Sequence, residues 1–102
     1  MTESVLVTGS SRGIGRAIAL RLAQAGHDIV LHCRSGRAEA DAVQVEIEAL
    51  GRKARVLQFD VSERADCKAI LEADVEQHGA YYGVVLNARS EEHTSELQSP
   101  SG

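Results

Sequence analysis

The sequence predicts an α/β chain folded as a doubly wound parallel sheet with helices on both faces. Three observations predict it. Short apolar runs rich in Val, Ile and Leu alternate with longer segments whose apolar residues recur every three or four positions. Glycines close those longer segments, at Gly26, Gly51 and Gly79. The first, second and fourth short runs are near-continuously apolar rather than alternating, as expected where helices cover both faces of a sheet.

The elements follow in order. "SVLVTG" (4–9) reads as a first strand ending in Thr-Gly. Ile14, Ile18 and Leu22 recur every four residues and predict a helix buried on that face, stopped by Gly26. "DIVLHC" (28–33) is a second strand. Val43, Ile47 and Leu50 mark a second helix, closed by Gly51. "ARVLQFD" (54–60) is a third strand. Ser62 is placed to cap a third helix, with Cys67, Ile70, Leu71 and Val75 on its inner face and Gly79 at its end. "YGVVLNA" (82–88) is a fourth strand. Right-handed crossovers then give β-α-β-α-β-α-β in the order 3-2-1-4. The outer side of the fourth strand would lack a neighbour, and an exposed apolar edge invites aggregation.

Composition narrows the function. At 102 residues the chain is one small domain or a piece of a larger one. Aromatics are 3% and Trp is absent, so the core must be aliphatic. Net charge is −4, with 11 basic against 15 acidic residues, and no basic stripe points to nucleic acid. The N-terminus shows no basic region followed by an apolar one, and no run is long enough to span a membrane. A cytoplasmic chain is expected, with Cys33 and Cys67 as reduced, buried thiols. His27, His32, His78 and His93 are scattered without ligand spacing, so no metal site is expected.

"TGSSRGIG" (8–15) lies between the first strand and the first helix, where a dinucleotide's pyrophosphate would rest. Gly9 permits a tight turn. Gly13 lets the backbone approach the phosphates, and Gly15 lets the helix pack close to the sheet. The helix N-terminus adds free N–H groups and a positive dipole end. The absence of a following Gly-Lys-Ser/Thr excludes a Walker-type loop. The competing reading is a glycine-rich turn without a ligand.

Thr8-Gly9-Ser10-Ser11-Arg12-Gly13-Ile14-Gly15, with "FDV" at Phe59-Asp60-Val61 and "LNA" at Leu86-Asn87-Ala88, resembles the short-chain dehydrogenase/reductase family. Within it the chain is most similar to the 3-oxoacyl-[acyl-carrier-protein] reductases. The resemblance covers residues 4–88 and implies a Rossmann-type fold. It implies that Gly9, Ser11, Arg12, Gly13, Ile14 and Gly15 hold the pyrophosphate. It makes Asp60 the acceptor for the adenine amine, with Val61's backbone beside it, and places Asn87 near the adenine ribose. The competing readings are a helix-capping role for Asp60 and a local turn role for Asn87.

An NAD site needs a carboxylate at the end of the second strand for the ribose hydroxyls. Cys33 stands there instead, and Arg34 follows. A guanidinium can grip a 2′-phosphate in a bidentate contact, and Arg12 could reach the same group. NADP is therefore the expected cofactor. The competing reading makes Arg34 and Arg37 a solvated loop.

After "NA" the family continues with Gly, but here Arg89 follows. "RSEEHTSELQS" (89–99) resembles the in-frame translation of a sequencing adapter, and Leu97 is its sole large apolar residue. The expected organisation is a partial dinucleotide-binding domain over 1–88, truncated after the fourth strand, and a disordered, artefactual tail over 89–102. In the family a Ser and a Tyr-x-x-x-Lys pair act after the fourth strand, so no catalytic residue is expected in this chain. Tyr81 and Tyr82 precede that strand and have no Lys four residues on, and Ser90 and Ser95 belong to the tail. The implied activity of the full-length protein is NADP(H)-dependent reduction of an acyl-carrier-protein-linked 3-oxoacyl group in fatty acid synthesis. A homodimer or homotetramer is implied, with no membrane partner. The fragment is expected to keep the cofactor half and to be inactive. Two alternatives stand beside this: a non-catalytic NADP sensor, and an assembly artefact with no folded existence.

Overall fold

The computed structural model of the chain describes residues 4–11 and 13–87. Arg12, Ala88 and the expected tail over 89–102 lie outside the described residues. The elements are β1 (Ser4–Val7), α1 (Gly13–Gln24), β2 (Asp28–Cys33), α2 (Arg37–Ala49), β3 (Ala54–Gln58), α3 (Arg64–His78) and β4 (Gly83–Val85). They form one parallel sheet in the order β3-β2-β1-β4, as the sequence predicts. Leu6 on β1 lies in register with Val30 on one side and Val84 on the other.

Burial follows position in the sheet. All residues of β2 are buried, the signature of a strand with neighbours on both sides and cover on both faces. β3 is a half-buried edge. β4 is the other edge among the described residues, and its Val84 is 51% exposed, so its apolar run is only half covered. The main core is aliphatic: Val5 and Val7 of β1, Ile29 and Leu31 of β2, Ala19 and Ala23 of α1, Val43 and Ile47 of α2. Leu6 and Val30, one step along their strands, are buried on the opposite face.

The helices stop where glycine stops them. Gly26, Gly51 and Gly79 all take positive φ. Their buried faces differ in part from the expected ones. The face of α1 that enters the core is Gly15, Ala19 and Ala23. Ile18 and Leu22 pack at its margin, and Ile14 is 73% exposed. At Gly15 there is no room for a Cβ, which would meet the Gly9 carbonyl. On α2, Val43 and Ile47 are buried with Ala40, whereas Leu50 is exposed beyond the helix end.

α3 departs furthest from expectation. Cys67, Ile70, Leu71 and Val75 are only half-buried, and its one buried residue is Asp74. Nor does Ser62 cap the helix. Glu63 is the N-cap, with no side-chain cap bond, while Ser62 turns back to Asp60. Both cysteines are free, Cys33 buried as expected but Cys67 only half-buried.

Candidate functional site

The site begins with the glycine turn after β1. Gly9 and Gly13 have φ of 63° and 65°, a region costly for residues with a side chain. Space around the missing Cβ of Gly13 is open to 4 Å. At Gly15 the reverse holds. A Cβ there would clash with the Gly9 carbonyl oxygen and lie 2.7 Å from Asn87 Nδ2. So α1 starts hard against the turn. No acidic side chain in the first turn of α1 opposes the positive dipole end. An open, bare-backbone cradle at a helix N-terminus fits a phosphate group. Ile14 is exposed at its lip, and Ser11 lies close to Gly36 at the start of α2.

Two polar residues fix this turn. Asn87 donates from its side chain to the Gly9 carbonyl at 3.2 Å, and from its backbone to Thr8 Oγ1 at 2.7 Å. The partners of Asn87 are thus not local backbone groups but the glycine turn after β1, 78 and 79 residues away, and the residue stands at the mouth of that turn. The second is His32, which the sequence reading passed over. The Gly9 N–H donates to His32 Nδ1 at 2.9 Å, and His32 Nε2 lies 2.8 Å from the Phe59 carbonyl. Three more bonds join Ser10 to the His32 backbone: the Ser10 N–H and hydroxyl donate to the His32 carbonyl, and the His32 N–H donates to Ser10 Oγ. One sequence signal existed: a polar residue inside an otherwise apolar strand must find partners when buried.

The ends of β2 and β3 supply the rest. Cys33 is 1% exposed, and burial pushes its thiol up, so no charge stands at this strand end before Arg34. Arg34 Nε lies 3.4 Å from Asp60 Oδ2. Asp60 Oδ1 accepts from the Ser62 hydroxyl at 2.7 Å and the Ser62 N–H at 2.9 Å. These two bonds, and then Arg34, hold the Asp60 carboxyl below its ordinary range. Val61 is half-buried beside it. Arg37 pairs with Asp41 along α2 and does not join the cluster.

Because the strands are parallel, Gly9, Arg34, Asp60 and Asn87 all emerge at one edge, the carboxyl ends of the sheet. Apart from Arg12, every residue expected to bind nucleotide lies at this edge. Apolar depressions lie along α3 at Leu71 and Val75 and along α1 at Ile18 and Leu22. Backbone donors and charge mark the site. The described residues contain no cluster suited to a metal ion, and no helix among them is long and apolar enough to cross a membrane.

The family model of the short chain dehydrogenases matches residues 3–100. The chain belongs to that family. Among short chain dehydrogenases of known name, the 3-oxoacyl-[acyl-carrier-protein] reductase FabG of Aggregatibacter actinomycetemcomitans is 68% identical over 88 residues, 86% of this chain and 36% of that protein. FabG of Staphylococcus aureus (strain N315) is 41% identical over 88 residues, again 36% of its length. The chain therefore spans about a third of the length of the curated relatives it matches. Solved short chain dehydrogenases share the fold. Acetoin dehydrogenase from Enterobacter cloacae superposes with a TM-score of 0.81 at 33% identity, over 88% of this chain and 36% of that one. The 3-oxoacyl (acyl-carrier-protein) reductase from Agrobacterium tumefaciens C58, solved with NADP bound, superposes with a TM-score of 0.76 at 40% identity, over 86% of this chain and 33% of that one. The sheet is thus the N-terminal part of a Rossmann-type fold.

Proposed function

We propose that this chain is the cofactor-binding half of an NADP(H)-dependent reductase acting on 3-oxoacyl groups carried by acyl carrier protein. The observation that carries the reading is the open glycine cradle at the tip of α1, with the Arg34 guanidinium at the next strand end. Gly9, Ser11, Gly13, Ile14 and Gly15 would hold the pyrophosphate, with Arg12 from outside the described residues. Arg34 would hold the 2′-phosphate, with Asp60 behind its Nε edge. Asp60 and Val61 would hold the adenine and Asn87 the adenine ribose. The bound nicotinamide supplies a hydride for the carbonyl carbon.

The substrate class comes from the names of the FabG relatives. The catalytic Ser and Tyr-x-x-x-Lys would be supplied by sequence this chain does not span, and the chain alone would bind nucleotide without turnover. A dimeric or tetrameric full-length protein is part of the same reading.

The test uses a full-length protein carrying this segment, mixed with NADPH and a 3-oxoacyl thioester. Oxidation of NADPH, much faster than of NADH, is expected. Tight NADPH binding without turnover would make the protein a sensor instead. Failure to bind either nucleotide would overturn the reading.

A further inference from the structure

His32 is 1% exposed, and both of its ring nitrogens are engaged. The two partners dictate where its proton lies. The Phe59 carbonyl can only accept, so Nε2 must carry the hydrogen. The Gly9 N–H can only donate, so Nδ1 must be bare. A second proton on Nδ1 would point at the Gly9 N–H and break that bond. Gly9 is the pivot of the cradle: its N–H is tied to the ring and its carbonyl to Asn87. Gly9 therefore serves the pyrophosphate by turning the chain rather than by donating its own amide, and its orientation sets the amides that follow.

We propose that His32 is a positioning residue for the nucleotide site, whose neutral imidazole holds the glycine turn in its phosphate-receiving shape and releases it on protonation. This rests on the reading of that turn as the pyrophosphate cradle. Preorganised donors bind an anion without paying ordering costs at the moment of binding. Removing the acceptor leaves a partly buried N–H unpaired, and the turn must shift to satisfy it.

The surroundings determine how readily the ring takes a proton. Burial holds the imidazole below its ordinary range, against the Phe59 carbonyl and the Asp60 carboxylate, which favour the proton. Asp60, from the end of β3, is the charged group facing the ring, with Arg34 engaged behind it at 3.4 Å. Among the described residues of the turn, Gly9 and Ser10 carry no charge. Phe59 covers the ring at a centroid separation of 4.2 Å.

Two variants divide the ring's roles. In His32→Asn the side-chain oxygen takes the place of Nδ1 and keeps an acceptor for Gly9. In His32→Gln the amide nitrogen takes the place of Nε2, keeps the Phe59 bond and leaves Gly9 unpaired. NADPH dissociation constants are measured in the full-length protein from about pH 8 down to about pH 5.5, across the imidazole range. The 2′-phosphate titrates near pH ~6, so the histidine's share is the difference between the native protein and His32→Asn. At the upper pH, His32→Gln should bind NADPH roughly 3–10-fold more weakly, and His32→Asn should bind like the native protein. Below it, the native protein should weaken more steeply than His32→Asn. Equal affinities for Gln and native protein, or identical pH profiles for Asn and native protein, would overturn the proposal.

Nitrogen-resolved NMR of the native protein decides the matter if either variant fails to fold. The expected signature is a bare Nδ1, with a His32 midpoint that NADPH moves downward by reciprocal linkage. A proton on Nδ1, or a midpoint indifferent to NADPH, would overturn it. A protein that binds no nucleotide at all refutes the proposed function instead, while the ring's tautomer still judges the clamp.

Discussion

Gly13 and Gly15 are two residues apart and are glycines for opposite reasons. At Gly13 the space is open but φ is 65°. Gly13→Ala should therefore cost about 1–2 kcal/mol of stability from the left-handed backbone. A methyl facing the phosphates should cost NADPH binding more, roughly tenfold or beyond. Gly15→Ala drives a Cβ into the Gly9 carbonyl and should lose about 1–3 kcal/mol of stability with or without nucleotide. Thermal melts with and without NADPH separate the two; equal ligand stabilisation in native protein and Gly13→Ala would remove Gly13 from the cradle. Arg34→Asp carries the cofactor choice. It should weaken NADPH by roughly 10–100-fold, the range of a charged hydrogen-bonded contact, and NADH far less. Equal losses would count against the assignment. The glycines were legible in the sequence because left-handed backbone leaves a local mark, and Arg34 because it directly follows the second strand. His32 and Asn87 were not legible as parts of the turn, because their Gly9 bonds join positions 23 and 78 residues apart.

Helix α3 shows the limits of pattern reading for a whole element. Its apolar residues are only half-buried, and what fixes it is polar. Asp74 accepts both arms of the Arg55 fork, at 2.8 and 2.7 Å, and the Tyr81 hydroxyl at 2.8 Å. The network joins the middle of α3 to β3 and to the segment entering β4. Burial pushes the Asp74 carboxyl up, but the Arg55 and Tyr81 bonds together outweigh it and hold it below the ordinary range. The sign follows: the stabilisation is present above the unfolded carboxyl value, near pH ~3.9, and is lost as pH falls through the lower folded value. Asp74→Ala should cost about 2–4 kcal/mol, since it strands a partly buried guanidinium. Tyr81→Phe, which removes one donor, should cost about 0.5–1.5 kcal/mol. Acid titrations of stability check the mechanism: Asp74→Ala should flatten the curve below about pH 4, and an unchanged acid slope would refute it. Glycine stops were legible because each obeys a local rule, and strand order because right-handed crossovers leave few arrangements of a parallel sheet. The buried face of α1, Gly15, Ala19 and Ala23, was not, because small residues give a weaker hydrophobic signal than Ile14, Ile18 and Leu22 and the crowding at Gly15 comes from the distant Asn87 as well as from Gly9.

At the scale of the molecule, the chain spans about a third of its named relatives, and its described residues leave apolar surface exposed on one side. Tyr82, Val84 and Leu86, in and around the β4 edge, are 65%, 51% and 82% exposed. Leu71 and Val75 line an apolar depression along α3. A domain of this length buries only about 60–65% of its unfolded surface, so such exposure weighs heavily against a thin margin. An open, apolar strand edge also pairs readily with other chains. The expected behaviour of the 102-residue chain is a helical spectrum with a weak cooperative melt and concentration-dependent association. Val84→Lys tests whether the β4 side drives that association. In the 102-residue chain the charge would stand in water, so association should fall with helix content unchanged. In a full-length protein that buries this side, the same lysine should destabilise by about 2–4 kcal/mol. Light scattering on the short chain and melting of the long one give the two readouts. A lysine that leaves association untouched, or that the full-length protein tolerates, would mean that this side of the sheet is not where the rest of the molecule docks.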